Sequence, residues 1–272
     1  MADASPLPAI LVTGGAARIG AEIVKGFAKA GWHVVIHHHS SHDEADELAA
    51  SLPSAETVSC DLSDESAAVA MIEELATRLP DWRCLVNCAA VFRYDDATDL
   101  DPQTNREAMQ VNALSPALMA QAYRAKARSE GLRCVIQITD MKIANPNPDF
   151  FSYTMSKHAA ASIVPMLAKT GGEQDRVYAI APGAILASHD QSEEETEVSH
   201  RLNLLERKTG PDEIVDAALF LSTGALKSGS TLFIDSGQHL LDQDRDVIYL
   251  AREEVEGWIV SAQNEMEKRE KL

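Results

Sequence analysis

Tyr153 and Lys157 lie four positions apart, a spacing that places a phenol and an ammonium group on the same face of a helix. A phenol has an ordinary pKa of about 10 and is a poor acid-base catalyst at neutral pH, but a nearby cation lowers that pKa by stabilising the phenolate. The pair is therefore a candidate for proton transfer to or from a substrate. Because this spacing is common by chance, the alternative is two surface residues on a helix.

A glycine-rich segment, Thr13 to Gly20, comes directly after the first apolar run of the chain. Glycines at a strand-to-helix turn let the backbone approach a pyrophosphate, whose charge is favoured by the helix N-terminus. Tight turns need glycine in any case, so the argument for a nucleotide comes from the position of this turn after the first strand of a βαβ unit. We expect Gly14, Ile19 and Gly20 to line a dinucleotide site.

The end of the second predicted strand indicates which dinucleotide is bound. A carboxylate here normally holds the ribose of NAD, whereas this strand ends in His37 and His38, followed by His39, Ser40 and Ser41. We expect the last three to face a 2′-phosphate, with the Arg18 guanidinium of the glycine turn as a second donor, so the sequence favours NADPH (NADP+). The histidines do not predict a metal site, because neighbouring strand residues point to opposite faces.

Short apolar runs alternate with longer amphipathic stretches from residue 9 to about residue 236, which is typical of repeated βαβ units. The sequence therefore predicts an α/β fold: a single Rossmann-type, doubly wound domain over residues 1–241, with a seven-stranded parallel sheet and helices on both faces. The predicted strands are Ala9–Thr13, His33–His38, Thr57–Asp61, Cys84–Ala89, Arg133–Thr139, Arg176–Ala181 and Thr231–Asp235. The predicted helices include Ile19–Ala30, Ser63–Arg78, Asn105–Ser129 and Tyr153–Thr170.

Two segments interrupt this alternation. Residues 186–208 are polar and acidic, and a long polar loop after a strand of an α/β sheet is a typical place for a substrate lid, with an ordinary surface loop as the alternative. Residues 242–272 form a charged tail that predicts an amphipathic helical extension. Such a helix packs on its own domain or contacts a partner subunit, and neither interpretation makes it a catalytic element. Its apolar positions are Val247, Ile248, Ala251, Val255, Trp258, Ile259, Ala262 and Met266.

The composition limits the classes of partner. The chain has 272 residues, with 24 basic and 42 acidic side chains and a net charge of −18. This charge repels phosphate backbones and anionic lipid surfaces, so we expect a small-molecule substrate and no nucleic acid or membrane as partner. We find no secretory pattern at the N-terminus and no apolar run of about 20 residues, and the four cysteines lack metal-ligand spacing. These features favour reduced thiols and a cytoplasmic location.

The segment from Pro8 to Leu240 resembles the short-chain dehydrogenase/reductase family. The motifs that carry the resemblance follow one another in the family's order and spacing: Thr13–Gly20, Asp61-Leu62, Asn87-Cys88-Ala89, Val111-Asn112, Tyr153 with Lys157, and Pro182-Gly183.

The resemblance implies a role for each of these motifs. Asp61 and Leu62 are expected to flank the adenine, and Asn87 and Ala89 to line the cofactor cleft. Pro182 and Gly183, with Ile185, are expected to border the nicotinamide. By the same resemblance, Lys157 is also expected to bind the nicotinamide ribose, and Asn112 to hold a proton-relay water. Because related enzymes are mostly tetramers or dimers, a homotetramer or homodimer is implied.

Asp140 stands where the family usually has a serine, thirteen residues before the tyrosine. A carboxylate beside a catalytic phenol opposes phenolate formation, but it is useful when the substrate offers N–H groups or needs a proton on nitrogen. The alternative is a strand-end aspartate that binds local amides. Arg18 likewise replaces a glycine of the common turn. Both replacements resemble the pteridine reductase and dihydromonapterin reductase branch, as do the histidine-rich strand end and the segment Leu232–Leu240.

In that branch the residue at Phe92 stacks the pterin ring against the nicotinamide, although on its own Phe92 is an ordinary apolar side chain suited to core packing. The resemblance implies NADPH-dependent reduction of a dihydropterin, with dihydromonapterin, dihydrobiopterin and dihydrofolate as candidates. Phe92 and Arg18 are expected to hold the substrate. The alternatives are a short-chain reductase of another carbonyl or alcohol, and a non-catalytic nucleotide-binding regulatory protein. The expected catalytic residues are Asp140, Tyr153, Lys157 and Asn112.

Overall fold

The computed structural model describes residues 6–188 and 190–270, with side chains up to residue 258 and at residue 260. Three apolar positions of the predicted tail helix, Ile259, Ala262 and Met266, lie outside the described side chains, and His189 of the predicted lid lies outside the described residues.

Seven parallel strands form one sheet, which confirms the predicted fold class. The strands are β1 (Ala9–Val12), β2 (His33–His38), β3 (Ala55–Ser59), β4 (Trp82–Asn87), β5 (Arg133–Ile138), β6 (Asp175–Pro182) and β7 (Thr231–Ile234). Their order across the sheet is β3-β2-β1-β4-β5-β6-β7. The chain therefore leaves β1 toward one edge and returns through β4 toward the other, and the crevice between these two strands is where an open α/β sheet binds ligands.

Helices cover both faces of the sheet. They are α1 (Arg18–Lys29), α2 (His42–Ala50), α3 (Glu65–Arg78), α4 (Pro102–Met109), α5 (Ser115–Lys126), α6 (Phe151–Ala168), α7 (Glu193–Ser199), α8 (Pro211–Ser222) and α9 (Val247–Glu270). The five inner strands are largely buried on both sides, which explains their apolar runs, whereas the edge strands β3 and β7 are only partly buried. In β1, Leu11 packs into the cluster that contains Leu75 of α3, whereas Ile10 packs into the opposite cluster, which contains Phe27 of α1.

The segment predicted as one helix over Asn105–Ser129 is interrupted in the structure. A wider π turn, Gln110–Leu114, separates α4 from α5. Pro116 has no N–H to donate to the carbonyl of Asn112, four residues earlier, and this favours the departure from regular α-helix. The π turn places Asn112 in the buried layer next to α6.

The start of α9 packs against the domain. Ile248 is buried with Phe150 and Tyr153, and Tyr249 packs against the same cluster. Within the described part of the chain, no helix is both long and apolar enough to cross a membrane.

Candidate active site

A cavity of about 950 Å³ lies at the carboxyl ends of the strands. Its wall includes fifteen of the residues predicted from the sequence: Gly14, Arg18, Ile19, Gly20, His39, Asp61, Leu62, Ala89, Phe92, Asp140, Tyr153, Lys157, Pro182, Gly183 and Ile185. Four predicted residues, Ser40, Ser41, Asn87 and Asn112, are described in the structure but are not part of this wall.

The glycine turn brings backbone close to the cavity. Gly14 has a φ of 63°, and a Cβ at Gly20 would collide with the carbonyl oxygen of Gly14, so both positions require glycine. Ala17, just before α1, has a methyl side chain that cannot accept a hydrogen bond, which leaves the first N–H groups of α1 available at the cavity wall. This turn has the features of an anion site at a helix N-terminus.

His37 is a structural residue that holds this turn. Its Nδ1 accepts from the Gly14 N–H at 3.1 Å, so the neutral ring carries its proton on Nε2, which donates to the Cys60 carbonyl at 3.1 Å. Burial lowers the pKa of His37 to about 4, despite the bond to Cys60, so the ring is neutral near pH 7. The histidine thus links the ends of β1, β2 and β3.

Arg18 joins the glycine turn to the predicted lid. Its guanidinium is exposed and donates to the carbonyls of Ala187 at 3.0 Å and Leu186 at 3.4 Å. Arg18 also has a φ of 52°, the left-handed conformation that a glycine adopts without cost. The exposed His39, which also lines the cavity, lies 3.8 Å from Asp61, whereas Ser40 and Ser41 are in the turn that leads into α2.

Asp95 positions the helix that carries the tyrosine. Phe150 precedes α6 with a φ of 53°, a conformation that costs about 1–2 kcal/mol outside glycine. The buried carboxylate of Asp95 accepts from the Ser152 backbone at 2.9 Å and from the Ser152 hydroxyl at 2.5 Å, while its carbonyl accepts from the Phe151 N–H at 3.2 Å. A side chain distant in sequence therefore provides the cap of α6.

Asp140 and Tyr153 form a direct hydrogen bond. The phenol donates to Asp140 Oδ2 at 2.7 Å, and Asp140 Oδ1 accepts from the Lys142 backbone N–H at 2.9 Å. Burial, and then the Asp140 carboxylate, raise the pKa of Tyr153 well above its ordinary value. Burial also raises the pKa of Asp140, while the positive charge of Lys142 opposes this shift. The pair therefore holds a proton between a phenol and a carboxylate.

Lys157 is buried and lies 5.4 Å from the centre of the Tyr153 ring, while its ammonium donates to the Ile138 carbonyl at 2.9 Å. Burial lowers the pKa of Lys157, and the Asp140 carboxylate opposes this shift. The expectation that a cation lowers the pKa of the tyrosine is not met, because burial and Asp140 dominate at Tyr153.

Asn112 is engaged by protein groups. Its Oδ1 accepts from the Val91 N–H at 2.7 Å, and its Nδ2 donates to the Val91 carbonyl at 2.9 Å and to Ser156 Oγ at 2.9 Å. The side chain therefore fixes the segment before Phe92, and its role with a proton-relay water stays a prediction. Asn87 is also buried, and its amide donates to the Pro116 carbonyl at 3.4 Å.

Aromatic rings form one wall of the cavity. Phe92 is stacked on Phe150 at a centroid distance of 4.2 Å and meets the Tyr153 ring edge-on at 4.7 Å. Tyr94 and Tyr249 extend this wall, at 5.6 Å and 6.2 Å from the Phe150 ring. With Phe92 44% exposed, part of the wall is open to a planar ligand.

The tail lines part of the cavity, which the sequence did not predict. Residues 246–249 line the cavity. Arg245 pairs with Asp149 at 2.8 Å, and Lys142 pairs with Asp246 at 2.5 Å. The tail also holds the predicted lid, because Arg252 of α9 binds Asp190 at 2.6 Å.

Sequence reasoning did not identify Lys142, Asp246, Tyr249 or Asp95 as site residues. Acidic residues are frequent in this chain, so the residue type alone did not mark Asp95 or Asp246 as part of a site. Their partners are also distant in sequence.

The chain matches known proteins over most of its length. A family model described as enoyl-(acyl carrier protein) reductase matches residues 14–239. The chain is 27% identical over 246 residues to ketoacyl reductase 2 of the granaticin polyketide synthase from Streptomyces violaceoruber. This match covers 88% of this chain and 99% of that protein. It is 25% identical over 242 residues to the dihydromonapterin reductase of Citrobacter koseri, covering 88% of this chain and 100% of that protein.

Among solved structures, FolM alternative dihydrofolate reductase 1 from Brucella canis, complexed with NADP, aligns with a TM-score of 0.81 and 31% identity, over 88% of this chain and 96% of that one. The chain belongs to the short-chain dehydrogenase/reductase family of oxidoreductases. Within this family it is similar to the dihydromonapterin reductases and to the FolM protein, as the resemblance in its motifs implied.

Proposed function

We propose that this protein is an NADPH-dependent reductase that converts a dihydropterin to the tetrahydropterin. The observation that carries the proposal is the 2.7 Å hydrogen bond between Tyr153 and Asp140, at the end of a wall of aromatic rings. A carboxyl group at this position suits a substrate that must be protonated on nitrogen, and exposed aromatic faces suit a flat heterocycle. The similarity to dihydromonapterin reductase and to FolM supports the same substrate class.

The cavity fits a dinucleotide at its other end. The turn at Gly14 and Gly20 leaves room for a pyrophosphate where side chains would collide, and the uncapped N–H groups of α1 face the same space. Arg18 and the exposed His39 are the residues that would meet a 2′-phosphate. When bound, NADPH supplies the hydride that is added to the carbon of a C=N bond.

The residues of the chain supply the proton. Because burial and Asp140 keep Tyr153 protonated, the phenol is a donor to the ring nitrogen. The Asp140 carboxylate takes up a proton from solvent and passes it to the phenolate that remains, which restores the phenol. The buried Lys157 ammonium stabilises the negative charge that develops on this pair during transfer. Phe92 and its aromatic neighbours orient the ring.

A second candidate function is the reduction of a ketone, with Asp140 binding local amides. The observation in its favour is the similarity to the polyketide ketoacyl reductase. The bond from the Lys142 N–H to Asp140 is the local amide contact that this alternative requires.

The experiment is the loss of nicotinamide absorbance with NADPH, and then NADH, in the presence of dihydromonapterin, dihydrobiopterin, dihydrofolate or a panel of simple ketones. We expect oxidation of NADPH with at least one pterin at a higher kcat/KM than with any ketone. Turnover of ketones alone would support the second candidate. NADPH binding without turnover of any substrate would support a regulatory protein.

A further inference from the structure

The C-terminal tail contributes residues to the cavity although it lies beyond the part of the chain that the family model matches. The family match ends at residue 239. Residues 246–249 nevertheless line the same cavity as Tyr153. The wall of this cavity therefore includes residues from outside the family match.

The tail reaches the site through a buried ion pair. Asp246 Oδ2 lies 2.5 Å from Lys142 Nζ, and the two side chains are only 8% and 5% exposed. The same ammonium lies 3.3 Å from Asn147 Oδ1, 3.2 Å from the Asp149 carbonyl and 5.1 Å from the centre of the Phe150 ring. Asp246 provides the charge that compensates an ammonium group buried among neutral groups.

Lys142 is next to the proton-donating pair. Its backbone N–H donates to one oxygen of Asp140, and the other oxygen accepts from the Tyr153 phenol. The charge of Lys142 acts on the pKa of Asp140, and the charge of Asp246 acts on the pKa of Tyr153. A path of direct contacts thus runs from the tail to the phenol.

We propose that Asp246 is a positioning residue of the active site, which holds the Lys142 ammonium and thereby sets the pH at which the Asp140–Tyr153 pair carries its proton. The inference rests on the proposed function only for the identity of this pair as the proton donor.

The other charged or titratable groups near the pair come from three elements. Lys157 of α6 faces both Asp140 and Cys88, and Cys88, after β4, faces Tyr153. Burial raises the pKa of Cys88 to about 11, so it is a neutral thiol at working pH. On the tail, the Arg245 guanidinium next to Asp246 in sequence is bound bidentately by Asp149. These groups are the same in all the variants described below.

The sign of the effect follows from which charge is removed. In Asp246→Asn, Lys142 keeps its charge without a counterion and stabilises the Asp140 carboxylate, so the pair loses its proton at lower pH. In Lys142→Gln, the carboxylate of Asp246 remains and the stabilising cation is lost, so the pair keeps its proton to higher pH. We expect opposite shifts of roughly half to one pH unit. Loosened packing alone would not produce opposite signs.

The first measurement is an infrared titration of the ligand-free protein, which follows the carboxyl band of Asp140, identified by its absence in Asp140→Asn. Asp246→Asn keeps the bond from the Ile248 N–H, because asparagine caps helices as well as aspartate, so α9 should begin as before. The matched control is Glu254→Gln, which removes one exposed carboxylate from the same helix. Asp246→Glu should restore the wild-type midpoint.

The second measurement is the pH profile of kcat/KM with NADPH and the best pterin, which should shift in the same directions. A midpoint in Asp246→Asn that equals that of Glu254→Gln would overturn the inference, as would shifts of the same sign in the two partners of the ion pair. Because the infrared titration needs no substrate, opposite shifts without any pterin turnover would support the role of Asp246 and refute the proposed function.

Discussion

Replacing Asp140 by serine separates pterin reduction from the ordinary chemistry of the family. The substitution removes the acceptor of the Tyr153 phenol at 2.7 Å and introduces a hydroxyl that can still bind the tyrosine but cannot return a proton as a carboxyl does. A positioned acid or base contributes about 10²- to 10⁴-fold to a rate. We expect kcat for the best dihydropterin to fall about 100-fold, which corresponds to ~2.7 kcal/mol of transition-state stabilisation.

The assay compares initial rates of NADPH oxidation in wild type, Asp140→Ser and the control Asp216→Asn, which removes an exposed carboxylate of α8. The Kd of NADPH, measured by fluorescence, should change less than about threefold, because Asp140 lies at the substrate end. The free energy of unfolding of Asp140→Ser should not be lower than that of wild type. Because burial raises the pKa of Asp140, its carboxylate lowers the stability of the wild-type fold at pH 7. A kcat within about threefold of wild type would refute the assignment of Asp140 as a participant in proton transfer.

Three further variants test residues that support the glycine turn, the expected cofactor phosphate and helix α6. Because the pKa of His37 is about 4 in the folded protein and about 6.5 unfolded, wild type should lose about 3 kcal/mol of unfolding free energy as pH falls from 6.5 to 4, and a denaturant titration of His37→Gln should show a smaller pH dependence. Arg18→Ala should raise the Kd of NADPH about tenfold and that of NADH much less; equal effects on both would contradict contact with the 2′-phosphate. Asp95→Ala should destabilise the fold by about 2–3 kcal/mol, through the lost bonds to Ser152, and an unchanged Tm would exclude this capping role.

The fold could be predicted from the sequence because its signals are local. Strands buried on both faces are continuous apolar runs, and β1 shows this in four consecutive buried residues. The π turn before α5 was missed, because the apolar spacing continues through it and only Pro116 marks the change in backbone geometry.

The candidate site could be predicted in part for the same reason. Tyr153 and Lys157 are one helical turn apart, so their spacing alone places them together. The ion pair between Lys142 and Asp246 joins segments from distant parts of the chain, and periodicity carries no information on such a contact. The opposition of Asp140 to phenolate formation could be inferred from the sequence, but the burial that raises the pKa of Tyr153 most could not.

Two arginines hold the beginning of the segment 186–208. Arg18 binds the carbonyls of residues 186 and 187 from the glycine turn, and Arg252 binds Asp190 from the tail. If this segment is the lid that the sequence predicts, a nucleotide that enters or leaves under it must release these contacts, and salt weakens at least the ion pair. Ionic strength is therefore expected to act on the rate of cofactor exchange more than on the chemical step. The contacts that hold this segment in place would then also limit how quickly NADP+ is replaced by NADPH.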